Sequence, residues 1–168
     1  MSDTTLRAVE LSNVRSFLRY WLPVLAWMLL IFIASTDLMS AQHTSRFIGP
    51  FLRWISPNVS AETIAAVQFG VRKAAHVTEY AILAALVLRA LHRGWDDVRW
   101  SRALVALATA ISYAAVDEYH QSFVASRTGS PADVAIDACG AAIGVSIWCW
   151  AVSRRRGAAR QHEAHALP

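Results

Sequence analysis

Charge is scarce in this chain: only 17% of its 168 residues are charged, against 55% that are hydrophobic. A soluble globule of that length needs more charge to cover its surface. A single lysine, Lys73, accompanies fifteen arginines. The arginines stand at the ends of apolar runs, so the net charge of +4 is better explained by orientation in a bilayer than by a nucleic-acid partner. Cysteine is nearly absent, and the ten residues between Cys139 and Cys149 separate them by about 15 Å along a helix, too far to bridge. No HExxH or paired ExxH pattern and no internal repeat occurs. What the chain has in abundance is long apolar runs parted by short Arg-bearing segments, which is the bilayer pattern.

The sequence therefore predicts an all-α, polytopic membrane protein of four transmembrane helices, with a short interfacial helix between the first and second. Residues 1–19 form a polar, cytoplasmic N-terminal segment, 20–152 the membrane domain, and 153–168 a basic, disordered cytoplasmic tail. The first span is Tyr20 to Ser35. A secretory signal peptide is the alternative there, since Arg7, Arg15 and Arg19 precede it and the small Ala34 and Ser35 end it; its length and the spans that follow favour an anchor. Between Thr36 and Gly70, Phe47, Ile48, Phe51, Leu52, Trp54 and Ile55 are set among Arg46, Pro50, Arg53 and Pro57, which suits an interfacial hairpin.

Ser60 can cap a helix with Glu62 in its first turn, leading through a bend at Gly70 into the second span, which ends near Leu91. Gly94, Asp96 and Asp97 supply a turn, and the third span runs from Ala103 to Val124. Ser130-Pro131-Ala132-Asp133 matches an N-cap Ser, Pro at the first helical position and an acid at the third, starting a fourth span that ends at Val152. Gly140 and Gly144 make a small-xxx-small step for a neighbouring helix, of this chain or of a second copy in a homo-oligomer. With four spans, Arg7, Arg15, Arg19, Arg89, Arg93, Arg99, Arg102, Arg154, Arg155, Arg156 and Arg160 share one side, and Arg46, Arg53, Arg72, Lys73 and Arg127 the other. Eleven against five places both termini in the cytoplasm.

The second span opens on Arg72-Lys73-Ala74-Ala75-His76-Val77-Thr78-Glu79-Tyr80. At 100° per residue, Arg72, His76 and Glu79 share a face, and Lys73, His76 and Tyr80 an overlapping one. The third span closes on Asp117-Glu118-Tyr119-His120-Gln121, and the fourth opens with Asp133 and Asp137. All three groups lie toward the outer face. Ion pairing of Lys73 and His76 with Asp117, Glu118 and Asp137 would hold a bundle together without chemistry, yet buried pairs stabilise little because desolvation offsets attraction. Ionisable groups within spans more often mark function. Several have plain readings: Asp133 as a capping acid, Arg72 snorkelling, His120 facing headgroups, Tyr80 and Tyr119 in an interfacial belt.

Lys73-x-x-His76-x-x-Glu79-Tyr80, then Asp117-Glu118-x-x-Gln121-x-Phe123, then Arg127 and Asp133, then Gly140-x-x-x-Gly144, with Trp21-x-Pro23, Ile31-Phe32 and Ser35 before them, resemble the VanZ-like membrane proteins in order and spacing over Trp21 to Trp150. Where that family usually shows Asn, this chain has Asp137, which adds a negative charge when ionised. The founding member is associated with low-level resistance to the glycopeptide teicoplanin, so the resemblance implies an envelope role in the bacterial cytoplasmic membrane. It implies no particular reaction.

Three functions follow from these residues. In the first, the cluster binds or processes an anionic membrane lipid or lipid-linked glycan from the outer leaflet. His76, Asp117 and Glu118 are then the candidate catalytic residues, with His76 as acid or base oriented by Glu118 or Asp117. Lys73, Glu79, Tyr80, Gln121, Arg127, Asp133 and Asp137 line the substrate, Lys73 and Arg127 holding the anionic head group. Binding without turnover would make the protein an envelope accessory factor. The second function is a proton or ion relay, weakened because polar residues stop in the outer half. The third is a metal site on His76, Glu79, Asp117 and Glu118, ranked last on weak ligand spacing; the leading reading needs no cofactor and no metal.

Overall fold

The computed structural model describes the backbone of residues 3–36, 41–92, 99–124 and 129–165, and the side chains of 14–36, 46–92, 99–124 and 129–158. Among these the secondary structure is entirely helical: α1 (Asp3–Ser35), α2 (Ala41–Ile55), α3 (Ala61–His92), α4 (Trp100–Gln121) and α5 (Pro131–His165). The two predicted caps form. Ser60 Oγ accepts the Thr63 backbone N–H at 3.1 Å at the start of α3, and Ser130 Oγ accepts that of Ala132 at 3.2 Å ahead of Pro131, each satisfying a donor that a helix start leaves open.

Two helices outrun their predicted limits. α1 begins at Asp3, not Tyr20, and keeps Pro23 inside it; α5 continues past Val152 to His165, where a disordered tail was expected. At the end of α5 hydropathy changes but helix propensity largely does not, because Arg and Ala favour helix as strongly as the apolar residues before them. α3 passes Gly70 as one helix, and α4 spans Trp100–Gln121 rather than 103–124. α2 carries Phe47, Phe51, Trp54 and Ile55 outward and packs on α3, with Gly49 against Ile64.

Among the described residues three helices, α1 from Val14, α3, and α5 to Ala158, are long and apolar enough to cross a membrane. α4, at 22 residues, is about 33 Å long, but Arg102, Ser112, Asp117 and Glu118 dilute its hydropathy. The chain is a multi-pass membrane protein whose surface is inverted relative to a soluble one: Leu22, Leu25, Leu29, Ile33, Leu104, Val105, Ile143 and Ile147 face outward, as hydrocarbon solvent permits.

α3 is the central helix, touching the other four. Its closest neighbour is α5, which runs parallel to it. A Cβ on Gly140 would stand 2.9 Å from Val77 Cα, and one on Gly144 2.8 Å from Ala81 Cα, so only glycine lets the backbones meet. The face that sequence offered to a second copy is thus taken up by α3 of the same chain. α4 contributes a buried stripe of alanines, Ala103, Ala106, Ala110 and Ala114, to the same core as Leu83, Ala84, Val87 and Leu88 of α3. α1 lies on the outside, tied by Trp27 Nε1 donating to the Glu79 carbonyl at 2.9 Å and Tyr113 Oη donating to the Met28 carbonyl at 2.7 Å.

Candidate polar site within the bundle

The core stripes of three helices change character at the same end. On α4 the alanine stripe continues into buried Asp117, Glu118 and Gln121; on α3 the line of Leu83 and Tyr80 continues into His76; on α5 the line of Ala141 and Gly140 continues into Asp137 and Asp133. Ionisable groups therefore occupy positions that elsewhere hold apolar side chains. Their partners lie inside the protein, as a bilayer demands of such groups.

Two rungs join α3 to α5. Lys73 pairs with Asp133 in a partly buried ion pair. One turn deeper, His76 Nδ1 shares a hydrogen bond with Asp137 Oδ1 at 3.1 Å, and Asp137 is completely buried. Glu118 of α4 approaches the second rung: one ligand atom from each of His76, Glu118 and Asp137 lies within 4.8 Å of the others. Glu118 Oε2 in turn accepts the Ser130 backbone N–H at 2.8 Å, joining the end of α4 to the start of α5.

A third group lies on the α1 side of α4. Asp117 Oδ2 accepts from Ser35 Oγ at 2.7 Å and from Gln121 Nε2 at 3.0 Å, and Gln121 Nε2 lies 3.3 Å from Ser35 Oγ. Tyr80 is wholly buried with its hydroxyl within electrostatic reach of Asp117 and Asp137. His120 instead stacks on the outward Phe32 at 4.7 Å, and Tyr119 pairs edge-on with Phe123 at 5.0 Å on the outer surface.

Of the ten predicted site residues, eight gather here: Lys73, His76, Tyr80, Asp117, Glu118, Gln121, Asp133 and Asp137. Glu79 is half-buried beside them and acts on His76 electrostatically. Arg127 lies outside the described residues. The pairing differs from expectation in two respects. The carboxylate on His76 is Asp137 rather than Asp117 or Glu118, and Lys73 is matched by Asp133, which is more than a capping acid. Sequence reasoning gave no site role to Ser35; its signal is a hydroxyl ending an apolar run, level with the polar end of another helix.

The opposite end of the bundle is basic. Arg19 of α1 and Arg89 of α3 both lie over the Tyr20 ring, at 5.6 and 5.5 Å. Thirteen residues of α3 separate His76 from Arg89, about 20 Å along the axis, so the acidic and basic ends are sorted across most of a hydrocarbon thickness.

A family model described as VanZ/LLP1 matches residues 20–152. No curated protein and no solved structure matches the chain.

Proposed function

The chain belongs to the VanZ/LLP1 family, and on that premise we propose that it is an envelope protein whose buried polar cluster receives the head group of an anionic membrane lipid or lipid-linked glycan. The observation that carries this reading is the pair of rungs between α3 and α5. Lys73 spends one of three ammonium donors on Asp133, leaving two for a phosphate oxygen. His76, held by Asp137 one turn deeper, is placed to give or take a proton from the bound group. An open, mostly apolar groove of about 510 Å³ on the seam between α1 and α4, lined by Met28, Val105, Ala108, Tyr113 and Val116 with Thr109 and Ser112, suits a hydrocarbon chain.

In this reading α4 also crosses the bilayer, giving four spans with α2 at the interface. The basic end lies at the cytoplasmic face of the bacterial inner membrane with both termini, and the cluster opens toward the outer leaflet. Arg127 adds a second cation from the segment before α5. Any part in glycopeptide resistance acts through this lipid-binding step.

The test is lipid identification by native mass spectrometry on detergent-extracted protein. Wild type is expected to carry a defined anionic lipid that Lys73→Gln and His76→Ala lose while remaining monodisperse. Identical lipid profiles in all three proteins would remove the reading. If the lipid is held, a search for its cleaved or modified product in the same sample separates an enzyme from an accessory protein.

A further inference from the structure

His76, Glu118 and Asp137, which stand together where the three helices meet, are bonded in a way that simple ion pairing leaves unexplained. Each carboxylate has one oxygen fixed and one bare. Glu118 Oε2 is held by the Ser130 N–H while Oε1 has no partner; Asp137 Oδ1 is held by His76 while Oδ2 has no partner. Both side chains are more than nine-tenths buried, at 4% and 0% exposure. An unpaired carboxylate oxygen in such a place costs several kcal/mol unless something neutralises it. Lys73 bonds Asp133 one turn away and Gln121 bonds Asp117, and neither bonds these two oxygens.

We propose that His76, Glu118 and Asp137 form a binding site for one divalent first-row transition metal ion. The donors suit manganese, iron or zinc: an imidazole nitrogen with two carboxylates, and no sulfur. One ion needs a small closure, since the three ligand atoms lie within 4.8 Å of one another and two ligands about 2.1 Å from a shared metal stand at most about 4.2 Å apart. The 3.1 Å between His76 Nδ1 and Asp137 Oδ1 is close to the edge of about 3.0–3.4 Å between two ligands each about 2.1 Å from a shared metal. The ion displaces the proton between those atoms, the Asp137 carboxylate binding it through Oδ1 and the bare Oδ2, and Glu118 closes on it with the bare Oε1 from α4. Charge balances as well, because a neutral imidazole, two carboxylates and a dication sum to zero, the cheapest state to bury. The Ser130 N–H on Glu118 Oε2 is a support of the kind that orients metal ligands, leaving Oε1 for the ion. Three protein ligands leave positions open for water or a substrate oxygen. The ligand set differs from the one read from sequence, in which Asp117 and Glu79 stood where Asp137 now stands. Metal ligation replaces the proton-transfer role that the lipid reading gives His76, and the test counts metal without lipid, so either reading can fail while the other stands.

Tag-free full-length protein, purified in detergent and stripped with EDTA, is titrated with Mn²⁺ or Zn²⁺ and the bound metal counted by mass spectrometry of the element. One ion per chain is expected. His76→Gln, Glu118→Gln and Asp137→Asn should each weaken binding by roughly a hundredfold or more, while Glu62→Gln, which removes an exposed carboxylate in the first turn of α3, retains it. Absence of stoichiometric metal in wild type, or equal binding in Asp137→Asn, overturns the site and leaves protonation of a carboxylate as the way the cluster is neutralised. Should the ligand variants fail to fold, X-ray absorption on zinc-loaded wild type decides: one nitrogen among oxygens supports the site, whereas sulfur or several imidazoles around the ion refutes it.

Discussion

Ser35, the last residue of α1, donates its hydroxyl to Asp117 near the end of α4 at 2.7 Å, across 82 residues of chain. Both groups are at least 96% buried, and this is a polar bond between the peripheral helix and the cluster. Ser35→Ala removes one of two donors to a buried carboxylate, and a loss of about 1–3 kcal/mol follows. Unfolding in mixed detergent should show it, with Ser35→Thr recovering much of the difference. Equal stability of wild type and Ser35→Ala would mean that this bond adds nothing net and that apolar packing with the Trp27 and Tyr113 bonds holds α1.

Gly140 and Gly144 make a second, harsher prediction. Each Cβ would meet backbone of α3 rather than the tip of a flexible side chain, so the helices must part and carry Lys73–Asp133 and His76–Asp137 apart with them. Gly140→Ala and Gly144→Ala should each cost about 1–3 kcal/mol or more and abolish lipid or metal binding together. Gly157→Ala is the control: nothing lies within 4 Å of its added Cβ, and helix propensity there favours alanine by about 0.5–1 kcal/mol. A tolerated Gly144→Ala would contradict the packing of α5 on α3.

How much of this was legible in sequence depends on how local the cause is. The caps at Ser60 and Ser130 depend on residues two or three positions away and could be read directly. The polar cluster could be read too, since His76, Asp117 and Asp137 stand out in apolar runs and a common depth follows from span order. Who pairs with whom could not, because the choice of Asp137 over Glu118 for His76 is set by the register of α5 on α3, which the two glycines fix by close approach. Ser35 was hidden for the same reason: a hydroxyl at a helix end has many plain uses until its neighbour is known. The start of α1 and the end of α5 were missed because hydropathy marks where a membrane stops and says nothing about where a helix does.

Topology is open to a direct check. In a Cys139→Ala, Cys149→Ala background, single cysteines at exposed Asn58, Ser101 and Ser122 sample both ends of α4 and the turn before α3. A membrane-impermeant thiol reagent added to intact cells should label Asn58→Cys and Ser122→Cys, and reach Ser101→Cys only after permeabilisation. Labelling of Ser101→Cys and Ser122→Cys from the same side would show that α4 does not cross, and would leave the three apolar helices as the only spans among the described residues.

The Lys73–Asp133 pair gives a prediction of sign. If Lys73 serves an anionic head group, Asp133 competes with that ligand, because both draw on the same ammonium. Removing the lysine and removing the aspartate should then act in opposite directions on lipid binding, although each breaks the same ion pair and each costs stability. Lys73→Gln should lower affinity for a phosphate-bearing lipid in vesicles of phosphatidylglycerol and phosphatidylcholine. Asp133→Asn, which leaves the Ser130 cap of α5 in place, should hold or raise it, by up to about tenfold for one elementary charge partly screened by water. Higher salt should shrink both effects, since the pair is partly exposed. A fall in affinity for both variants would make the pair a structural clasp and leave the head group to be held elsewhere; opposite signs are something a clasp alone cannot produce.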